Sequence, residues 1–212
     1  CVSSASRREW QDYARRCRKY LVANGVPDSD LDSENGVFTG WFHHPIMWER
    51  IPVVETSHGY VTIGRFTPTK RHHIGFQATP DLQLFAPSPH PDYPVQAEIY
   101  EKLLNKYGAT GKISLDASDA VVAAYLSRAR ALLIFAQESF GLTAFEANSL
   151  GVPVILSHKI EDHPVKEACA PGAAFGSIHG VPYDRSLENL AQELRSFQNP
   201  SLEQNEQIQQ AT

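Results

Sequence analysis

The run ALLIFA at residues 131–136 is the feature that most restricts how this chain can fold. A run this short, without a polar residue, predicts a strand that is buried on both faces. A segment with helical spacing (119–129) precedes it, and a helix (142–150) and a second apolar strand (152–156) follow it. Short apolar strands that alternate with helices predict an α/β fold with a Rossmann-like parallel sheet and helices on both faces.

The other segments extend this pattern. Strands are predicted at 60–64, 82–86 and 112–115, and helices at 6–23, 95–107, near 164–169 and at 186–197. Residues 24–36 are rich in turn formers and acids and predict a linker or long loop. The polar segment 201–212 predicts a helix that frays or packs marginally.

Composition indicates the class of protein. The 212 residues are 42% hydrophobic and 20% charged with a net charge of -5, which is typical of soluble globular proteins and does not favour a nucleic-acid partner. The three cysteines have neither paired nor metal-ligand spacing, and no apolar run reaches the roughly 20 residues that span a bilayer. We therefore predict a cytoplasmic protein. The opening CVSS reads as the end of a strand, so the sequence is expected to be a piece of a longer chain.

Two glutamates flank the predicted helix start after ALLIFA. Gly141 permits a tight turn, and the free amides of residues 142–144 suit a phosphate group. Glu138 precedes this start and Glu146 lies about one turn into the helix, so both carboxylates are placed to bind hydroxyl groups on either side of a phosphate, as in a nucleotide sugar. The alternative is that Glu146 only stabilises the helix and Glu138 is a solvated loop residue.

A basic loop follows the strand at 60–64. Gly64 ends that strand, and Arg65 and Lys70 lie five residues apart around Pro68. If this loop and the helix start meet at one edge of the sheet, the two cations can bind a diphosphate there. The alternative is a solvated surface loop.

These motifs resemble those of one enzyme family. The loop GRFTPTK (64–70) resembles the G-R-x-x-x-x-K loop of retaining GT-B glycosyltransferases of the glycogen-synthase-like and mannosyltransferase-like group. The stretch ESFGLTAFE (138–146) matches their E-x7-E motif, and EANSLGVPVILS (146–157) is similar to the run that follows it. The resemblance covers roughly residues 60–197.

The resemblance implies a domain organisation and a site. Residues 1–38 would be the end of the N-terminal acceptor domain and the linker, 39–197 the C-terminal nucleotide-sugar-binding domain, and 198–212 a polar tail. The implied catalytic residues are Arg65, Lys70 and Glu138, and the implied donor-binding residues are Gly64, Phe140, Gly141, Leu142, Thr143 and Glu146. The cations and the helix amides would hold the diphosphate, Glu146 the ribose, and Glu138 the transferred sugar. The implied reaction is transfer with retention from a nucleotide-diphosphate sugar to an unidentified acceptor, without a metal or other cofactor.

Three departures from the family pattern reduce the detail of this expectation. The stretch 71–85 leaves room for only a very short helix. Residues 86–88, Ala-Pro-Ser, replace a glycine that commonly ends the second strand, and Ala136 replaces a common Pro-Ser pair. The donor contacts near the second strand are therefore not predicted.

Other functions remain open. A nucleotide-sugar epimerase of the same two-domain fold is an alternative among enzymes, and a non-catalytic nucleotide-sugar-binding module is the alternative outside them. The D-x-D motifs at 28–30 and 30–32 are typical of metal sites in the other glycosyltransferase fold, but no apolar strand precedes them. The basic helix 6–23 suits contact with a nucleic-acid backbone or an anionic membrane surface, although such a helix is more often simply solvated.

The histidine pairs at 43–44 and 72–73 suggest a metal site, but adjacent side chains diverge and no Cys or acid lies at ligand spacing, so surface or partly packed histidines are favoured. His73 is instead expected to line the loop beside Lys70.

Overall fold

The computed structural model describes residues 52–136, 142–156, 169, 174–176 and 186–212. Several predicted features lie outside these residues: the helix 6–23, the linker, the D-x-D motifs, the histidine pair 43–44, and the helix near 164–169 apart from Cys169.

Strands and short helices alternate along the described chain. The strands are β1 (His58–Ile63), β2 (Leu82–Ala86), β3 (Ile113–Leu115), β4 (Ala129–Ile134), β5 (Val154–Leu156) and β6 (Ala174–Gly176). The helices are α1 (His72–Ala78), α2 (Pro94–Tyr107), α3 (Asp119–Leu126), α4 (Leu142–Ser149), α5 (Ser186–Ser196) and α6 (Leu202–Ala211), and a 3-10 turn spans Pro68–Lys70.

The six strands form one sheet in the order β3-β2-β1-β4-β5-β6. Every neighbouring pair is parallel, so the predicted parallel α/β fold is confirmed. The order of the strands reverses between β1 and β4, which are neighbours in the sheet but not in the chain. In such sheets ligands bind outside the carboxyl ends of the strands at this reversal.

Apolar side chains alternate between the two faces of the sheet, as the period of a strand requires. Tyr60 of β1 packs with the first face and the adjacent Val61 with the second. Helices α1, α2 and α5 cover the first face, whereas α3 and α4 cover the second. The Tyr60 hydroxyl donates a hydrogen bond of 2.5 Å to the Leu194 carbonyl and so ties α5 to β1.

Strand β4 differs from its prediction. It begins at Ala129 and ends at Ile134, and Phe135 and Ala136 are buried beyond its end. The strand therefore contains Arg130, whose guanidinium lies 5.4 Å from the centroid of the Tyr60 ring and donates a hydrogen bond to Asn199. These contacts explain how a charged residue fits into the strand, which begins two residues before the apolar run.

The C-terminal polar segment forms a helix that packs on α4. The Ser201 side chain accepts from the Gln204 amide, and the Gln204 side chain accepts from the Ser201 amide, which is a capping box at the start of α6. Asn205 is 2% exposed, and the Gln209 side chain donates a 2.8 Å hydrogen bond to the Ser149 carbonyl. Of the two outcomes predicted for this segment, the structure shows the packed helix.

Within the described ranges, no helix combines the length and the hydrophobicity that crossing a lipid bilayer requires.

Candidate functional site

An open cleft of about 580 Å³ lies at the carboxyl ends of β1, β2 and β3, beside the start of α4. Its lining comprises Ile63, Gly64, Arg65, Lys70, Phe85, Ala86, Pro87, Asp116, Ala117 and Thr143. This volume falls within the range of small-molecule sites, about 300 to 1,000 Å³. The cleft also adjoins the reversal of strand order, because its lining includes the end of β1 and Thr143 of the helix that follows β4.

The loop that follows β1 supplies two cations to this cleft. Arg65 is exposed and Lys70 is half-buried. Gly64 has a φ of 152°, and a Cβ added there would lie 3.3 Å from Lys70 Cδ and 3.4 Å from Lys70 Cε. The aliphatic part of the lysine side chain therefore lies over Gly64, where a larger residue would displace it.

The same loop is anchored in the first-face core. Phe66 is completely buried, and its ring centroid lies 5.2 Å from that of Tyr100 on α2. The Thr67 amide donates to the Arg65 carbonyl at 2.9 Å, and the Lys70 amide donates to the Thr67 carbonyl at 3.1 Å. One buried ring and two backbone hydrogen bonds thus fix a loop whose charged side chains face the cleft.

His72, which the sequence did not single out for the site, lies directly against this loop. It is 3% exposed, and its Nε2 lies 3.2 Å from the Arg65 carbonyl oxygen. Burial lowers the pKa of His72 to about 4, with a smaller contribution in the same direction from the Lys70 charge. The ring is therefore neutral near pH 7. A carbonyl can only accept, so Nε2 carries the proton and Nδ1 does not.

His73 does not take the place that the sequence predicted for it. Its ring centroid lies 5.6 Å from that of Tyr107 on α2, and it is not part of the cleft lining. Successive helical residues point in different directions: His72 contacts the Arg65 carbonyl of the loop, whereas the His73 ring packs near Tyr107.

The start of α4 meets the basic loop at the cleft. Thr143 lines it, whereas Leu142 has a side chain that is 45% exposed and not part of the lining. The first amides of α4 have no acceptor within the helix, so they add partial positive charge at this point. Three of the residues predicted for the site, Glu138, Phe140 and Gly141, lie outside the described residues.

Glu146 lies one turn into α4, is half-buried, and is not part of the described lining. Burial raises the pKa of its carboxyl group, and the nearby Asp119 carboxylate at the start of α3 raises it further. A half-buried carboxyl group is a type of side chain that accepts hydrogen bonds from hydroxyl groups.

Asp116, which the sequence analysis missed, also lines the cleft and is hydrogen-bonded to Ser88. Asp116 has a φ of 49°, and one of its carboxylate oxygens accepts from the Ser88 amide at 2.9 Å, while the other accepts from the Ser88 hydroxyl. These bonds lower the pKa of Asp116. The rule that sites lie after parallel strands would have identified this residue, because Asp116 directly follows β3.

In the parts of the chain that the structure describes, no three His, Cys, Asp or Glu side chains are grouped as metal ligands.

Comparison with known proteins shows a likeness of fold. No protein-family model matches the sequence, and no curated protein does. Among solved structures, a variant of TarM from Staphylococcus aureus in a complex containing UDP aligns with a TM-score of 0.55 at 14% identity, covering 86% of this chain and 37% of that one. HepE from Anabaena in complex with UDP and glucose aligns with a TM-score of 0.52 at 14% identity, covering 73% and 43%.

A structure described as a glycosyltransferase from Rickettsia africae aligns with a TM-score of 0.53 at 17% identity, covering 74% of this chain and 43% of that one. The present chain thus spans less than half the length of each of these three proteins. At such identities the likeness establishes the fold alone.

Proposed function

We propose that this chain, which has the GT-B glycosyltransferase fold, forms the part of a glycosyltransferase that binds a nucleotide-diphosphate sugar. One observation carries the proposal: the two cations of the β1 loop and the start of α4 line the same cleft. Two separate sources of positive charge at the reversal of strand order suit the diphosphate of such a donor. The presence of UDP in the TarM and HepE structures supports a nucleotide diphosphate as the ligand.

The proposed chemistry follows from the position of these charges. Breaking the bond between the sugar's anomeric carbon and the phosphate oxygen leaves additional negative charge on the departing diphosphate. Arg65, Lys70 and the first amides of α4 then stabilise the transition state more than the bound donor, which accelerates the reaction. Glu146 holds the ribose hydroxyl groups, and Glu138 faces the sugar that is transferred.

The proposal has finer parts that the sequence resemblance supports. Transfer proceeds with retention at the anomeric carbon, and no metal is needed because side-chain cations and helix amides supply the positive charge. The enzyme acts in the cytoplasm on an acceptor of unidentified chemistry.

Titration calorimetry tests the diphosphate site. UDP, ADP and GDP are titrated into the wild-type chain and into the Arg65→Ala and Lys70→Ala variants. Each variant should lose about 1.5 to 3 kcal/mol, or about 10- to 150-fold in affinity, as expected for a charged hydrogen bond. Lys102→Ala is the matched control, because it removes a cation that pairs with Glu98 on α2 at 2.7 Å. Unchanged affinity in both loop variants would disprove the diphosphate site.

The two glutamates are distinguished by the choice of ligand. Glu146→Ala should weaken nucleosides and nucleoside diphosphates alike, whereas Glu138→Ala should weaken only ligands that carry the sugar. Equal losses from both variants with every ligand would contradict the assigned roles.

Product analysis with the donor separates the remaining activities. A sugar joined to an acceptor indicates transfer, an altered sugar nucleotide indicates epimerisation, and an unchanged donor indicates binding alone.

A further inference from the structure

We propose that His72 is a positioning residue for the diphosphate-binding loop: its Nε2–H holds the Arg65 carbonyl and thereby fixes the backbone that carries Arg65 and Lys70. The ligand in this inference rests on the proposed function, but the hydrogen bond does not. His72 would act through the loop and would not touch the donor.

The Arg65 carbonyl is the point at which the loop is held. It accepts from the Thr67 amide at 2.9 Å and from His72 Nε2 at 3.2 Å, so it has two donors, which is the number of its lone pairs. The peptide that joins Arg65 to Phe66 is therefore held by a backbone hydrogen bond within the loop and by the buried His72 ring. Small displacements of a binding group can strongly weaken its effect, so this constraint bears on the function of the cations.

The same ring is close to the other parts of the site. His72 Cε1 lies 3.6 Å from the position of a Cβ on Gly64, over which the Lys70 side chain passes. His72, Lys70 and Thr143 also line a small cavity of about 10 Å³ beneath the cleft. The His72 ring thus adjoins the β1 loop and shares a cavity with the start of α4.

The ring also packs against the aromatic anchor of the loop. Its centroid lies 6.5 Å from that of Phe66, edge to face. A substitution that keeps an aromatic ring therefore retains this packing and removes only the nitrogen atoms, which makes His72→Phe the informative variant.

The protonation state agrees with a donor role. Burial is the main cause of the low pKa of His72, and the charges of Lys70 and His73 lower it further, while the nearby Arg65 and Gly64 backbone groups act in the opposite direction. A neutral ring with its proton on Nε2 donates to Arg65 without adding a third cation to the cleft. The buried Nδ1 has no hydrogen-bond partner among the residues that the structure describes.

Ligand binding by three variants tests the proposal. His72→Phe removes the donor, His72→Gln restores an N–H near the position of Nε2, and His73→Phe is the control on the neighbouring histidine that faces Tyr107. The probes are whichever of UDP, ADP and GDP binds the wild-type chain, together with its parent nucleoside.

We expect His72→Phe to lower diphosphate affinity about 10-fold, which corresponds to the loss of one good hydrogen bond. Nucleoside affinity should stay within about 2-fold of wild type, and His72→Gln should recover most of the diphosphate affinity, since positioning is restored while ring packing is not. His73→Phe should bind like the wild type. The proposal is overturned if His72→Phe binds the diphosphate normally, if it loses nucleoside equally, or if His72→Gln loses as much as His72→Phe.

Nuclear magnetic resonance tests the hydrogen bond without a ligand. Two-bond nitrogen–proton correlations of the His72 imidazole should show the Nε2–H tautomer at pH 7. The Nδ1–H tautomer would overturn the inference even if the donor binds. Conversely, a wild-type chain that binds none of the three diphosphates would remove the proposed function, and the tautomer would still decide whether His72 holds the loop.

Discussion

Acid should destabilise this chain through His72, and the size of the effect follows from its burial. The pKa of His72 is about 4 in the folded chain, against roughly 6.5 for an exposed histidine. Above pH 7 neither state binds a proton at this residue, so it makes no pH-dependent contribution. As the pH falls below 6.5, the unfolded chain gains a proton that the folded chain does not accept, and unfolding becomes more favourable. The loss should reach about 2 kcal/mol at pH 5 and about 3.4 kcal/mol once the pH is well below 4.

Urea unfolding measured by circular dichroism at pH 8, 7, 6 and 5 tests this reasoning in the wild-type chain and in His72→Phe. The informative quantity is the free energy of unfolding of the wild type minus that of the variant, since contributions from other titrating groups largely cancel in it. This difference should fall by about 2 kcal/mol between pH 8 and pH 5. If the two stability curves run parallel over this range, His72 is not buried as a neutral ring, and the argument for its tautomer fails as well.

Three substitutions test other contacts. Gly151→Ala places a Cβ 2.6 Å from an α6 backbone carbonyl at a φ of 77°, whereas Gly111→Ala has a φ of 75° with nothing within 4 Å of its Cβ. Strain should lower the free energy of unfolding of both variants by about 1 to 2 kcal/mol, and the close contact should lower that of Gly151→Ala by about 1 to 3 kcal/mol more in urea unfolding. Equal losses would contradict the packing of α6. Tyr60→Phe removes the hydrogen bond to Leu194 and should cost about 1 kcal/mol in the same assay; an unchanged stability would show that α5 is not held there. Gly64→Ala puts a Cβ 3.3 Å from Lys70 Cδ at a φ of 152°, so the backbone is strained and the lysine side chain must shift by a few tenths of an ångström; diphosphate binding should weaken in calorimetry, and normal binding would mean that the lysine adjusts without loss.

The fold was predictable because its signal lies in short apolar runs. A strand buried on both faces needs apolar residues at nearly every position, so ALLIFA and its neighbours were recognisable without tertiary information. Strand boundaries were less predictable: β4 begins earlier than the apolar run because Arg130 finds an aromatic ring and an asparagine from distant parts of the chain. Strand β6 was missed, since its three residues pair through the backbone and carry too short a pattern.

The site was predictable where its residues are defined by local geometry. A glycine at a strand end followed by spaced cations predicted the loop at 64–70, and the structure brings Arg65 and Lys70 to one cleft with Thr143. His72 and Asp116 were missed for different reasons. The pairing of Asp116 with Ser88 joins two loops 28 residues apart, and the burial of His72 depends on packing that a pair of adjacent histidines does not reveal.

In the cleft, the residues that carry positive charge differ from the residues that hold the loop in place. Arg65, which is exposed, and Lys70, which is half-buried, are the residues that can compensate a diphosphate. Phe66 and His72, both buried, contribute no net charge near pH 7. A buried cation in place of His72 would require its own compensation and would repel the lysine above it. Under the proposed function, a neutral ring that fixes the loop before a ligand arrives would leave the cations little to reorganise when negative charge develops on the departing phosphate. The low pKa of His72 is therefore a consequence of burial that also suits the proposed function. If the ring were protonated at moderately acidic pH, it would place a third positive charge beneath the cleft. Its Nδ1 would then be a buried donor instead of an acceptor.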